Sequence, residues 1–296
     1  MLCAASIGKS SKPNAELEVK GDNEITENEY RVLAKTYDYI GSLHVMNRAY
    51  DIMHRNAQEF LSYTTHEALN EMYFDKKRNE NIGLNANRLV SNFCTSVNIF
   101  VDYADTAAKR QGEAAREKLR ELCSELFDQH FEYRFFYKLR NYCIHYSYPY
   151  TGLTASADGG ITLNCSKENL MKYSGWGSTV KNDFAALPDN IDLRQYIDKL
   201  LAYLTLIKLN VYTSYAENIC AAYNAIQEFR VKYSLGKPIV LDIESKEKIS
   251  IRSIPFEIVM NDMKVLEYCP EISMQFEKAK VPHSNSLDGQ GTSERL

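Results

Sequence analysis

The sequence predicts an all-α protein: an up-down helical bundle with a β-hairpin insertion and a small C-terminal appendage. Three observations carry this. Over four long stretches apolar residues recur at steps of three and four, which gathers them on one helical face. Residues 151–187 break that rhythm with two short β-prone runs around Asp158-Gly159-Gly160, a hairpin signal. Residues 237–278 then open with PIVLDI and KISIRSI, which alternate like short strands. Four long helices bury one another's stripes most simply as a bundle.

The elements follow in order. Residues 1–25 are small and polar and are expected to be disordered, as are residues 279–296. The bundle is expected over 26–236. Its first helix covers 27–61, with Leu33, Leu43, Met46, Met53 and Phe60 on the inner face. Gly83 marks a turn. The second helix covers 84–106, with Leu89, Val90, Phe93, Val97 and Phe100 inward and Asn92 and Ser96 as interleaved polar positions. The third runs over 113–145 through Leu119, Leu126, Phe135, Phe136 and Leu139. Pro149 follows its end, where it disfavours helix in the residue before it. After the insertion, Asp189 or Asn190 caps the fourth and longest helix. Its stripe runs from Leu193 to Phe229, and Gly236 and Pro238 close it. In the appendage, PFEIVMNDMKVLEYC fits either a strand or a helix.

Composition narrows the function classes. The chain has 296 residues, 45% hydrophobic and 25% charged, with a net charge of −4. Length allows one large domain or two small ones. The negative balance argues against broad, charge-driven nucleic-acid binding, yet leaves room for a small basic cleft. Seven cysteines, with no CxxC pair and no metal-ligand spacing, read as buried thiols in a reducing compartment. No apolar run reaches the ~18 residues of a membrane span, and the N-terminus lacks a signal-peptide core. A cytoplasmic protein with no membrane partner and no cofactor is expected. The Gly8-Lys9-Ser10 triplet lacks the earlier glycine of a phosphate-binding loop, since residue 3 is Cys.

The stretch YKLRNYCIHYSYPY, residues 137–150, concentrates chemistry at the end of the third helix. Asn141 and His145 are four apart and share a face. Arg140 precedes His145 by five, so the two point about 140° apart. Arg offers a planar fork of donors for a phosphate, and His can act as base and acid near neutral pH. These are parts for cleaving a phosphodiester without a metal. Equally, an Arg and a His at a helix end complement the negative end of its dipole. Around the motif, Arg134 and Lys138 are candidate phosphate contacts, and Tyr142 and Tyr146 candidate base-stacking residues. With 21 tyrosines in the chain, packing is an alternative role for the latter two. His44, His54 and His66 lie ten to twelve apart, which is not ligand spacing for one metal.

The motif RNYCIH, with the wider stretches FEYRFFYKLRNYCIHYSYP and NRLVSNFCTSVNIFVDYAD, resembles the HEPN superfamily, in particular a bacterial branch of uncharacterised members. That resemblance implies an all-α HEPN-like bundle whose third main helix carries Arg, four to six residues, then His. It implies a metal-independent endoribonuclease of a toxin or anti-phage defence system. Two protomers would pair with their motifs on one cleft, Arg140 and His145 would form the catalytic pair with Asn141 as polar helper, and products would end in a cyclic or 3′ phosphate. The partners implied are RNA, a second copy of the chain, and an antitoxin or defence protein. Family toxins modified by a nucleotidyltransferase carry a tyrosine two residues after the His; here that residue is Ser147, between Tyr146 and Tyr148. An alternative from another class is a non-catalytic HEPN-like module that binds RNA, a nucleotide or a protein. A third is a purely structural bundle in which Arg140 and His145 only cap.

Overall fold

The computed structural model describes residues 1–9, 17–75, 77–155, 160–245 and 248–269. In chain order the elements are β1 (Leu2–Lys9), β2 (Leu17–Ile25), α1 (Glu27–Thr36), α2 (Ile40–Tyr63), α3 (His66–Phe74), α4 (Ile82–Gln111), α5 (Glu113–Gln129), α6 (Phe131–His145), β3 (Gly152–Ala155), β4 (Ile161–Asn164), α7 (Lys167–Met171), α8 (Gly177–Asp183), α9 (Ile197–Ser214), α10 (Ala216–Lys232), β5 (Lys237–Ser245), β6 (Lys248–Ser253) and α11 (Phe256–Leu266). The protein is mainly α. Among the described residues no helix is long and apolar enough to cross a membrane.

The chain divides into two compact units: Gly41–Val211, and Met1–Ile40 together with Tyr212–Leu296. This corrects the expected tail, bundle and appendage. In the second unit, β1 pairs antiparallel with both β2 and β5 in a sheet of order β2-β1-β5-β6. Cys3 lies opposite Leu241 and Ala4 opposite Val240, and Cys3, Ala4, Ala5 and Val240 are buried. Residues 2–9 and 17–25 are therefore strands rather than disordered. Three small buried residues make too short a run to read as a strand locally, and the partner strand is some 230 residues away. The alternation in 237–253 does form strands β5 and β6, whereas the ambiguous segment after Pro255 is helix α11, with Val259, Asp262 and Leu266 buried at helical spacing. The buried carboxylate of Asp262 accepts hydrogen bonds from Tyr39 at 3.1 Å and Tyr212 at 2.9 Å, as a buried charge requires. The segment 279–296 lies outside the described residues, as does the Asp158-Gly159 hairpin tip.

The other unit is built from helices and one hairpin. Buried Met46, Met53 and Phe60 of α2, Leu89, Phe93 and Phe100 of α4, Phe136 and Leu139 of α6, and Leu200, Leu204 and Ile207 of α9 supply its core. Strands β3 and β4 pair antiparallel, with Leu153 opposite Leu163. Two expected helices are each interrupted without a Gly or Pro. His130, at φ −119° and ψ 115°, separates α5 from α6, and Tyr215, at φ −99° and ψ 3°, separates α9 from α10. Likewise residues 37–39 divide the expected first helix into α1 and α2.

Candidate functional site

Helix α6 starts where the chain turns at His130, and Arg134 fixes that turn. Its Nη1 donates to the carbonyls of Phe127 (3.3 Å) and Asp128 (3.2 Å), two of the unsatisfied acceptors at the end of α5. Its Nε and Nη2 form a fork onto both oxygens of Asp183, each at 2.7 Å. Arg134 is 8% exposed. All three of its guanidinium nitrogens are engaged inside the protein, so it is not an open RNA contact. The expectation failed because Asp183 lies 49 residues further on, in the insertion, where no local pattern links it to Arg134.

The middle of α6 is aromatic and buried. Phe135 stacks on Trp176 at 5.7 Å, with planes 7° apart, and meets Phe184 edge-on at 6.1 Å. Tyr142 also stacks on the same tryptophan, at 5.6 Å and 20°. At 2% exposure Tyr142 is core and cannot receive a base; burial also pushes its phenol pKa up. Half-buried Lys138 turns its Nζ towards the ring of Phe127, 6.0 Å from the centroid. Burial raises the Cys143 thiol to about 11, with the Ser91 hydroxyl acting in the opposite direction. That makes Cys143 an inert packing residue.

The last turn differs. Nη1 of Arg140 donates to Asn141 Oδ1 at 3.2 Å. Asn141 shares its face with His145 one turn later, so the bond draws the guanidinium round the helix towards the histidine side. The Arg140 Nε is buried with no hydrogen-bond partner among the described residues, although a buried charged donor ordinarily finds an acceptor. His145 is the exposed last residue of α6. Tyr146 follows as the helix cap, and its N–H and that of Ser147 both donate to Tyr142 O at 3.0 and 3.1 Å. Tyr146 itself is 52% exposed.

The exit from the helix is held by a residue that sequence reasoning missed. Asn87 of α4 donates from Nδ2 to Tyr150 O at 2.8 Å and accepts from Tyr150 N at 3.0 Å on Oδ1. It thus pairs with the backbone of Tyr150 as a neighbouring strand would. Its signal was an asparagine at inner-face spacing, three before Val90 and six before Phe93. The polar pair singled out instead takes no such part: Asn92 is exposed, and the Ser96 hydroxyl donates to Phe93 O within its own helix at 2.8 Å. Among the described residues no group of three His, Cys, Asp or Glu side chains is placed to hold a metal ion. No family model, curated protein or solved structure matches this chain.

Proposed function

We propose that this protein is an RNA endonuclease of the HEPN type, metal-independent, acting as a homodimer in a toxin or anti-phage defence system. The observation that carries the reading is the state of Arg140: half-buried, drawn towards the Asn141 and His145 face, with an Nε donor that has no acceptor among the described residues. A phosphate oxygen is the acceptor such a donor suits.

The chemistry needs two groups. His145 takes the proton of a ribose 2′-hydroxyl, and the 2′-oxygen attacks the adjacent phosphorus. The phosphorus–5′-oxygen bond breaks, and the leaving oxygen takes a proton, giving a 2′,3′-cyclic phosphate and a 5′-hydroxyl. Arg140 offsets the charge that builds on the non-bridging oxygens. Asn141 orients the guanidinium. Exposure of His145 gives the imidazole free access to substrate and solvent protons.

The test is cleavage of several RNAs, tRNA included, by purified protein in EDTA, beside His145→Ala, with product ends analysed. Cleavage that survives EDTA, is lost in the variant and leaves cyclic phosphate supports the reading. The net charge of −4 favours a second reading, a non-catalytic binding module; retained RNA binding with no cleavage by the wild type would select it.

A further inference from the structure

Beside His145 lies an aromatic shelf that the insertion completes. The ring of Tyr146, 52% exposed, is tilted against Tyr142 at 5.5 Å and against Tyr173 at 5.5 Å. Tyr173 comes from the segment between α7 and α8, and meets Trp176 edge-on at 5.8 Å and Tyr142 edge-on at 5.7 Å. Tyr142 and Trp176 form the buried floor, while Tyr146 and half-buried Tyr173 form the surface.

Tyr173 is held in position by a glycine. A Cβ on Gly175 would lie 2.3 Å from both Cζ and Oη of the Tyr173 ring. The ring therefore lies directly on the backbone of Gly175, in space that any other residue would fill. Packed on one side against Gly175 and on others by Tyr142 and Trp176, it braces Tyr146. In helical projection His145 falls between Asn141 and Tyr142, at about 100° per residue. The shelf thus adjoins the His145 face on the side away from Arg140.

We infer that Tyr146, braced by Tyr173 on Gly175, is the stacking site for the nucleobase next to the scissile phosphate of single-stranded RNA. The inference rests on the reading of Arg140 and His145 as a phosphodiester-cleaving pair. A π surface accepts any base, so the shelf confers single-strand preference with little sequence preference. It also gives the insertion a role: it carries the second half of a substrate subsite.

The experiment uses the full chain and a short mixed-sequence 2′-O-methyl RNA, which lacks the attacking hydroxyl and so is bound without being cut. Binding is read by polarisation of labelled RNA and by emission of Trp176, the one tryptophan in the chain. Three proteins are compared: wild type, Tyr146→Ala and Gly175→Ala. The second variant keeps every aromatic residue and only displaces the ring of Tyr173. Each is also titrated with an RNA made abasic at one successive position at a time. Both variants are expected to weaken binding by on the order of tenfold or more, with unchanged thermal midpoints. One abasic position should weaken wild-type binding similarly, and that RNA should no longer distinguish the three proteins. Equal binding by wild type and both variants, or equal binding of every abasic RNA, overturns the shelf. If unmodified RNA is still cleaved in that case, the nuclease reading stands without it. If wild type neither binds nor cleaves RNA, both readings fall together.

Discussion

The two ends of α6 carry the same kinds of residue and use them in opposite ways. At its start, Arg134 is buried, its donors engaged by Asp183 and the last carbonyls of α5. Six residues later, Arg140 has, among the described residues, one modest bond to a neighbouring side chain and a buried donor with no partner. Phe135 and Tyr142 both stack on Trp176, while Tyr146 is 52% exposed. The first half of the helix is satisfied, and satisfied groups stabilise. The last turn leaves polar and aromatic groups incomplete, which costs stability and is tolerated where a ligand completes them. Residue type alone does not separate a structural arginine from a candidate binding arginine; the inventory of partners does.

The comparison predicts a graded series. The largest effect is at Phe135, fully buried against the rings of Phe131, Phe136, Trp176 and Phe184. Phe135→Ala should lower unfolding free energy by about 3–5 kcal/mol, read from denaturant midpoints at constant slope. Next is Arg134→Ala, which strands the Asp183 carboxylate and two helix-end carbonyls, at about 3 kcal/mol. Arg134→Lys should recover only part of this, because an ammonium cannot make the two-pronged contact. Similar costs at position 140 would erase the distinction between the two ends. Asn87→Ala should cost about 2 kcal/mol, since it leaves the buried N–H and C=O of Tyr150 unpaired. It should also loosen hydrogen-exchange protection of the Tyr150 amide. The smallest effect is at His145: His145→Ala, at an exposed site, should stay within about 0.5 kcal/mol of wild type by thermal melting. A larger loss there would favour the purely structural reading.

How much of this was legible depended on the range of the interaction. The stripes of α2, α4, α6 and α9 were visible because helical burial repeats every three to four residues, and Phe93, Leu139 and Leu204 are core as their spacing implies. The hairpin was visible through its β-prone runs around an Asp-Gly-Gly turn signal, and the strands β5 and β6 through alternation. The break at His130 was not, because it is fixed by Arg134 bridging to Asp183 rather than by a helix breaker. Strand β1 was not, because it exists through pairing with β5 at the other end of the chain. At the candidate site the motif residues could be named from their order, and Asn141 does meet Arg140. Arg134 and Tyr142 were misassigned as contacts because their partners, Asp183 and Trp176, lie in the insertion. Asn87, Tyr173 and Gly175 were missed because each matters only through what folds against it.

The most direct test is Arg140→Met, read for two properties on the same samples: thermal midpoint, and RNA cleavage in EDTA per folded molecule. Methionine retains an apolar side chain and removes the orphaned donor. The prediction is a midpoint equal to or slightly above wild type, with cleavage reduced by at least about a hundredfold. A falling midpoint with cleavage intact would contradict the account, and would make Arg140 a structural residue like Arg134.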